Sequence, residues 1–136
     1  MAILSSTHNF PADPSTEADL EQYSQDRENG FAGGVICPPN GTACSIVDLA
    51  PGEPSPMHRT MTVDTLYIAE GAVEIHLDSG EMRTLKAGDS MIQRARIHKW
   101  VNVTPDNGWV RMVGFAVATV DPVVVGEKEL STEFKV

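Results

Sequence analysis

Beyond residue 30, apolar and polar positions alternate in short runs, and each run stops at Gly, Pro or Asn. GGVIC gives way to PPNGT and ACSIVDLA to PGEPSP. Further runs follow at TLYIAEG, AVEIHLDSGE, MRTLKAGDS, MIQ, HKWVNVT and WVRMVGFAVATV. Short strands between turn signals at near-regular intervals predict an all-β sandwich or barrel. In AVEIHLDSGEMRTL the residues Val73, Ile75 and Leu77 alternate with Glu74, His76 and Asp78, and Asp78-Ser79-Gly80 supplies the turn, so this stretch predicts a hairpin. No helical period of useful length follows residue 30. Before it, Ser15 to Gln25 predicts a short capped helix, since Ser and Thr precede Glu17 and acids fill the first turn; a loosely ordered arm is the alternative.

The pattern divides the chain into an N-terminal arm (1–30), a β-barrel domain (31–119) and a C-terminal tail (120–136). At 136 residues there is room for one domain and one core. The formal charge of −9 argues against nucleic-acid and anionic-membrane partners, which need a basic surface. Five of those nine net charges fall within residues 1–30, where six acids face one base, Arg27. No run is apolar and long enough to span a bilayer, and MAILSSTHNF lacks the charged start and apolar core of a secretory leader. Cys37 and Cys44 are read as free, semi-buried thiols in a cytoplasmic protein. His8 is read as a solvated arm residue and His76 as a surface or intersheet one. Met57, Met61, Met91 and Met112 are read as barrel filling.

Two stretches carry a more specific pattern. In the first, Gly52 is followed by five residues, His58, Thr60, Asp64 and a closing Gly71. In the second, Gly88-Asp89 opens a run that continues through Arg94, Arg96, His98 and Asn102. In order and spacing these resemble the two cupin motifs across residues 45–115. Thr60 stands at the second His position of the first motif, and Asp64 at the Glu position. In the second motif Arg94 and Arg96 replace Pro and Gly, and His98 arrives one residue early. MHRT, LDSGE, LKAGD, IQRA and HKWVN are similar to a subgroup of small single-domain cupins with HRT in place of HxH, frequent in fungi beside polyketide biosynthetic genes. The resemblance implies a cupin double-stranded β-helix, and a tail strand exchanged in a homodimer.

The departures from the motifs bear on chemistry. Alternate strand residues face the interior, so His58 shares a face with Thr60, Asp64 with Leu66 and Ile68, and His98 with Trp100 and Asn102. Two His and one carboxylate (His58, Asp64, His98) suffice in kind for one divalent Fe, Zn or Mn ion. Against that, Asp is one methylene shorter than Glu, and Thr60 is a poor ligand for such ions. Without metal, the same three residues form an acid–base set suited to proton abstraction beside a carbonyl. Among the four basic residues flanking the His positions, Arg59 and Lys99 have the wrong parity to face inward. Arg94 is therefore expected to stabilise an enolate or to bind a carboxylate, with Arg96 as its alternative. Thr60, Gln93, Arg96, Trp100 and Asn102 are expected to line the substrate site. Tyr67 falls on the opposite face from Asp64 and is read as packing.

The expected function is acid–base lyase or isomerase chemistry on a polyketide-like carbonyl compound. The alternatives are a metal-dependent dioxygenase using His58, Asp64 and His98, and a non-catalytic small-molecule binder.

Overall fold

A computed structural model describes residues 1–135. In chain order, β1 (Ala2–Thr7) and helix α1 (Ala18–Asn29) precede β2 (Thr42–Leu49), β3 (Met57–Arg59), β4 (Thr62–Glu70), β5 (Ala72–Leu77) and β6 (Met82–Lys86). They are followed by β7 (Ser90–Arg94), β8 (His98–Asn102), β9 (Val110–Ala118), β10 (Val123–Val125), β11 (Lys128–Leu130) and β12 (Glu133–Lys135). One five-stranded sheet has the order β1-β2-β9-β4-β7, and another the order β12-β3-β8-β5-β6. The all-β expectation holds, as the double-stranded β-helix in which two sheets face each other. The barrel does not close: β7 and β6 end as edges, and among the described residues no ladder joins the sheets.

Strand alternation decides what lies between the sheets. On β4 the residues Thr62, Asp64, Leu66 and Ile68 are buried, while Val63, Thr65 and Tyr67 are exposed. Tyr67 thus faces outward, and packing is not its role. The apolar layer comprises Leu66, Ile68, Val73, Ile75, Trp100, Val110 and Met112, drawn from both sheets. Burying each large aliphatic side chain there contributes roughly 1.5–3 kcal/mol. One register row above Leu66, residues Ala43, Ala116, Asp64 and Gln93 stand side by side across β2, β9, β4 and β7. Two alanines beside Asp64 leave space, so the interior changes there from close-packed to polar.

Gly71, which closes the first motif, has φ +82, and a Cβ on it would come within 2.5 Å of the Trp109 carbonyl oxygen. Only glycine fits that β4–β5 corner. The predicted hairpin forms as β5–β6, with the Gly80 N–H donating to the Leu77 carbonyl at 3.1 Å.

The segment expected as an arm is part of the fold. β1 pairs along β2, and α1 packs on β1 through Asp26, which is buried. Asp26 accepts the Ser6 hydroxyl at 2.7 Å and contacts His8 Nε2 at 2.6 Å, so His8 is not merely solvated. The helix starts three residues later than predicted and runs four further. Ser15 N–H bonds to the Asp13 carboxylate (3.0 Å), so these side chains form a turn before the helix instead of capping it. β10 and β11 form a hairpin, and β12 pairs antiparallel with β3 of its own chain, setting Phe134 opposite His58. Cys37 and Cys44 are free thiols, as read. Among the described residues, no helix is long and apolar enough to cross a membrane.

Candidate active site

The polar end of the interior is built from three strands of the second sheet and two of the first. The Pro54-Ser55-Pro56 run leads into β3 with an extended backbone, since each ring fixes φ. His58 follows it, directly opposite His98 on β8. The imidazole centroids lie 4.4 Å apart with the planes tilted by 50°. His58 Nδ1 is 2.7 Å from the Pro56 carbonyl oxygen, and His98 Nδ1 is 2.9 Å from that of Arg96. A carbonyl only accepts, so Nδ1 of each ring carries a proton and donates it. Each Nε2 is then the free position of the neutral ring.

Burial separates the two rings chemically. His98 is 4% exposed. That burial lowers its pKa to about 4, opposed by its bond to the Arg96 carbonyl and assisted by His58. His98 is therefore neutral at pH 7, and its part in the expected acid–base set is that of a fixed hydrogen-bond acceptor.

Asp64 enters from the opposite sheet, 6% exposed. Burial pushes its carboxyl upward, while the Thr62 hydroxyl and His58 pull it part of the way back. Its Oδ1 has no hydrogen-bond partner, and neither does the oxygen or the nitrogen of the Gln93 side chain, which stands opposite Asp64 in register. Gln93 is itself 4% exposed. Buried polar groups are nearly always bonded, so three orphaned atoms on two adjacent side chains mark a place for a ligand or water. Thr60 Oγ1 lies 3.1 Å from Thr62 Oγ1, which extends the polar line from Asp64 towards the outside.

Several expected site residues lie elsewhere. Arg94 ends β7 opposite Val63, exposed, and borders a second cavity that Gln93 and Arg96 also line. Residue parity on a regular strand governs it, and it points away because Gln93 points in. Arg96 is also exposed, and its contribution is the backbone carbonyl that holds His98. Trp100 belongs to the apolar core, with its ring edge-on to His98 at 5.5 Å. Asn102 is a structural clasp: its Nδ2 donates to the carbonyls of Leu49 (3.1 Å) and Gly108 (2.9 Å), and its Oδ1 accepts the Thr104 N–H. Arg59, whose parity is opposite to that of His58, is 7% exposed, on a strand flanked in its sheet by β12 and β8.

The three donors expected for a divalent metal are not gathered in this structure. Among the described residues, no three His, Cys, Asp or Glu side chains gather closely enough to hold an ion. The imidazoles converge, but Asp64 reaches in on the shorter carboxylate side chain, and Thr60 is engaged with Thr62.

Three residues that the motifs did not reveal complete the site. Phe134 of β12 stacks on His58, with centroids 5.9 Å apart and planes within 13°. Nothing local to Phe134 in sequence signals this, since it depends on pairing with His58, 76 residues away. Thr62 was legible, lying two residues before Asp64 on the same face. Cys37 adjoins the Ala116 carbonyl, and burial, together with the charge of Asp64, pushes its thiol up to about 11.

Two facing sheets with a His pair, a buried carboxylate and an amide at one end define a small cupin-type β-sandwich with a polar internal site. The sequence profile of the cupin domain matches residues 45–112, and the chain belongs to the cupin family. It is similar to the cupin-domain-containing oxidoreductase srdD of Neurospora crassa, at 41% identity over 102 residues, 75% of this chain and 49% of that protein. It is also similar to the cupin-domain-containing oxidoreductase fogC of Aspergillus ruber, at 32% over 128 residues, 94% of this chain and 60% of that protein. Phomopsin biosynthesis cluster protein D of Diaporthe leptostromiformis is 36% identical over 124 residues, 91% of this chain and 63% of that protein. The chain thus spans from about half to under two thirds of these relatives' lengths. Among solved structures, a Klebsiella pneumoniae protein with a double-stranded β-helix domain superposes with a TM-score of 0.53 at 20% identity, over 68% of this chain and 73% of that one. A cupin domain from Schizosaccharomyces pombe gives 0.50 at 16%, over 57% and 53%. At such identities the likeness concerns the fold alone.

Proposed function

We propose that this chain is a small secondary-metabolism cupin that moves protons on a carbonyl compound, in dehydration, isomerisation, cyclisation or decarboxylation. The observation that carries the reading is the pair of imidazoles with Nδ1 tied to backbone carbonyls and Nε2 free, beside a buried carboxyl with an unbonded oxygen. His58, the less buried ring, takes a proton adjacent to the substrate carbonyl at Nε2. Asp64, whose proton affinity burial raises, returns a proton to the enolate through its neighbouring hydroxyls. His98 stays neutral and positions His58. Kinship with a phomopsin cluster protein and with two fungal cupin proteins supports the metabolic setting.

The test is solvent deuterium exchange at the α-carbon of a panel of aryl methyl ketones and cyclic ketones, followed by NMR. Exchange is expected with the wild-type protein and is expected to fall by roughly 10²-fold or more in His58→Gln and Asp64→Asn. Absence of exchange across the panel, or full exchange in both variants, would sink the reading.

A second reading, a metal-dependent oxidoreductase, is favoured by the names of the srdD and fogC relatives. Elemental analysis of the purified protein decides it: stoichiometric Fe, Zn or Mn that disappears in His58→Ala establishes that reading. A homodimer is also proposed. The exposed Tyr67, Ile92 and Phe115 on the outer face of the first sheet support it, since contiguous apolar surface marks interaction sites. Phe115→Glu is expected to yield a monomer in sedimentation analysis.

A further inference from the structure

Beside the polar end lies a cavity of about 400 Å³, between the Gly33–Asn40 loop, the end of β9 and the tail. It is within the size range of small-molecule sites. Two features tie it to the chemistry: Phe134, which stacks on His58, also lines the cavity, and so do Thr60 and Thr62, which lead to Asp64. Val35, Ile36 and Met61 supply apolar walls, and two glycines of the loop leave flat surface. Among its described lining residues none is Lys, Arg or His, and the acid present is Asp121, at the exposed rim. The Cys37 thiol, also in the wall, is held neutral at pH 7 by burial. A carboxylate or phosphate ligand would therefore enter an apolar space with no cation to compensate its lost hydration, next to the charge of Asp121.

We propose that this cavity is the substrate subsite, and that it selects an uncharged, flat, ring-bearing ketone or phenol. The ring lies beside Phe134, and its oxygen is hydrogen-bonded by the Thr60 hydroxyl. The inference rests on the proton-transfer reading and narrows it. It reassigns Thr60, which stands at a metal-ligand position of the cupin motif, to substrate binding. It also removes the need for an arginine, which agrees with the outward direction of Arg94. Stacking on an aromatic ring typically adds to affinity beyond the area buried, so Phe134 sets selectivity for flat ligands.

The experiment compares two probes that share one ring system, 2-acetylnaphthalene and 2-naphthoate, by isothermal titration calorimetry on the full chain. One-to-one binding of the ketone is expected, with naphthoate at least tenfold weaker. Phe134→Leu, a change at an exposed end of the fold, is expected to weaken the ketone at least fivefold, and Phe134→Trp to retain it. Equal or tighter binding of naphthoate, or a ketone affinity indifferent to Phe134→Leu, would overturn the proposal. Its failure is separable from failure of the chemistry. Phe134-dependent binding without α-proton exchange would leave the ligand class standing and remove the proton transfer. Exchange on charged ketones without binding of acetylnaphthalene would do the reverse.

Discussion

His58 and His98 face each other across the β3–β8 ladder with ring centroids 4.4 Å apart, and burial keeps the His98 ring neutral at pH 7. Both Nδ1 atoms donate to a carbonyl two residues upstream, so sequence-local geometry fixes the tautomer of each. What divides them is depth: His98 sits on the central strand of its sheet, buried against Trp100, while His58 lies nearer the edge beneath Phe134.

The first prediction follows from that burial. The unfolded chain takes up the His98 proton near pH 6.5, but the folded protein does not until about pH 4. Between these values the unfolded state binds more protons, so stability rises with pH and is lost as pH falls from 6.5 towards 4. The loss is of order 3 kcal/mol. Asp64, raised in the folded state, acts in the opposite sense, its contribution being present at low pH and lost as pH rises through its folded value. Denaturant unfolding at pH 4.5 and 7.5 should show a marked difference for the wild type and a much smaller one for His98→Leu.

Asn102 is expected to matter for stability and not for ligand selection. Asn102→Ala strips partners from the carbonyls of Leu49 and Gly108 and from the Thr104 N–H. The cost should be on the order of 2 kcal/mol or more, read as a lower Tm. Ligand affinity measured well below that Tm should stay within about twofold, a change smaller than 1.4 kcal/mol by the usual conversion.

Gly71→Ala is expected to destabilise by roughly 1–3 kcal/mol. Its φ of +82 disfavours any side chain, and the new methyl would also meet the Thr104 hydroxyl at 2.6 Å. That hydroxyl accepts the Ala72 N–H at 3.0 Å, so displacing it opens the corner where β4 turns into β5. Thermal unfolding of the single variant is a sufficient check.

Period-two alternation explains why much of the site could be read in advance. Asp64 and His98 fall inward with their apolar neighbours, and the β5–β6 hairpin forms where its turn residues stand. Gly71 and Asn102 are where the cupin spacing places them, but Asn102 clasps backbone groups, a role that spacing does not reveal. The misplaced residues have two physical causes. Arg94 is still on β7 and alternates with the buried Gln93, so strand parity turns it outward. Phe134 reaches His58 because the tail returns onto β3, a long-range pairing with no local signature. His8 is held by Asp26 for the same reason, through a helix that packs on β1.

The last prediction sets stability against function at Gln93. A buried amide with both polar atoms unbonded loses its hydration without compensation, at roughly 1–3 kcal/mol for each unsatisfied group. The register explains why the neighbours do not help: Gln93 stands opposite Asp64, whose Oδ1 is also unbonded, and the next residues across the sheet are Ala116 and Ala43, which offer no polar side chain. Replacement by Leu removes the unsatisfied groups and keeps a similar volume, so Gln93→Leu should raise Tm. If the amide serves a ligand, the same substitution should lower proton exchange on the ketone panel at least tenfold. A variant that is both more stable and less active would identify Gln93 as a residue kept for binding at the expense of folding energy. A lower Tm would show instead that ordered water already satisfies the amide, and an unchanged exchange rate would place the ligand elsewhere in the interior.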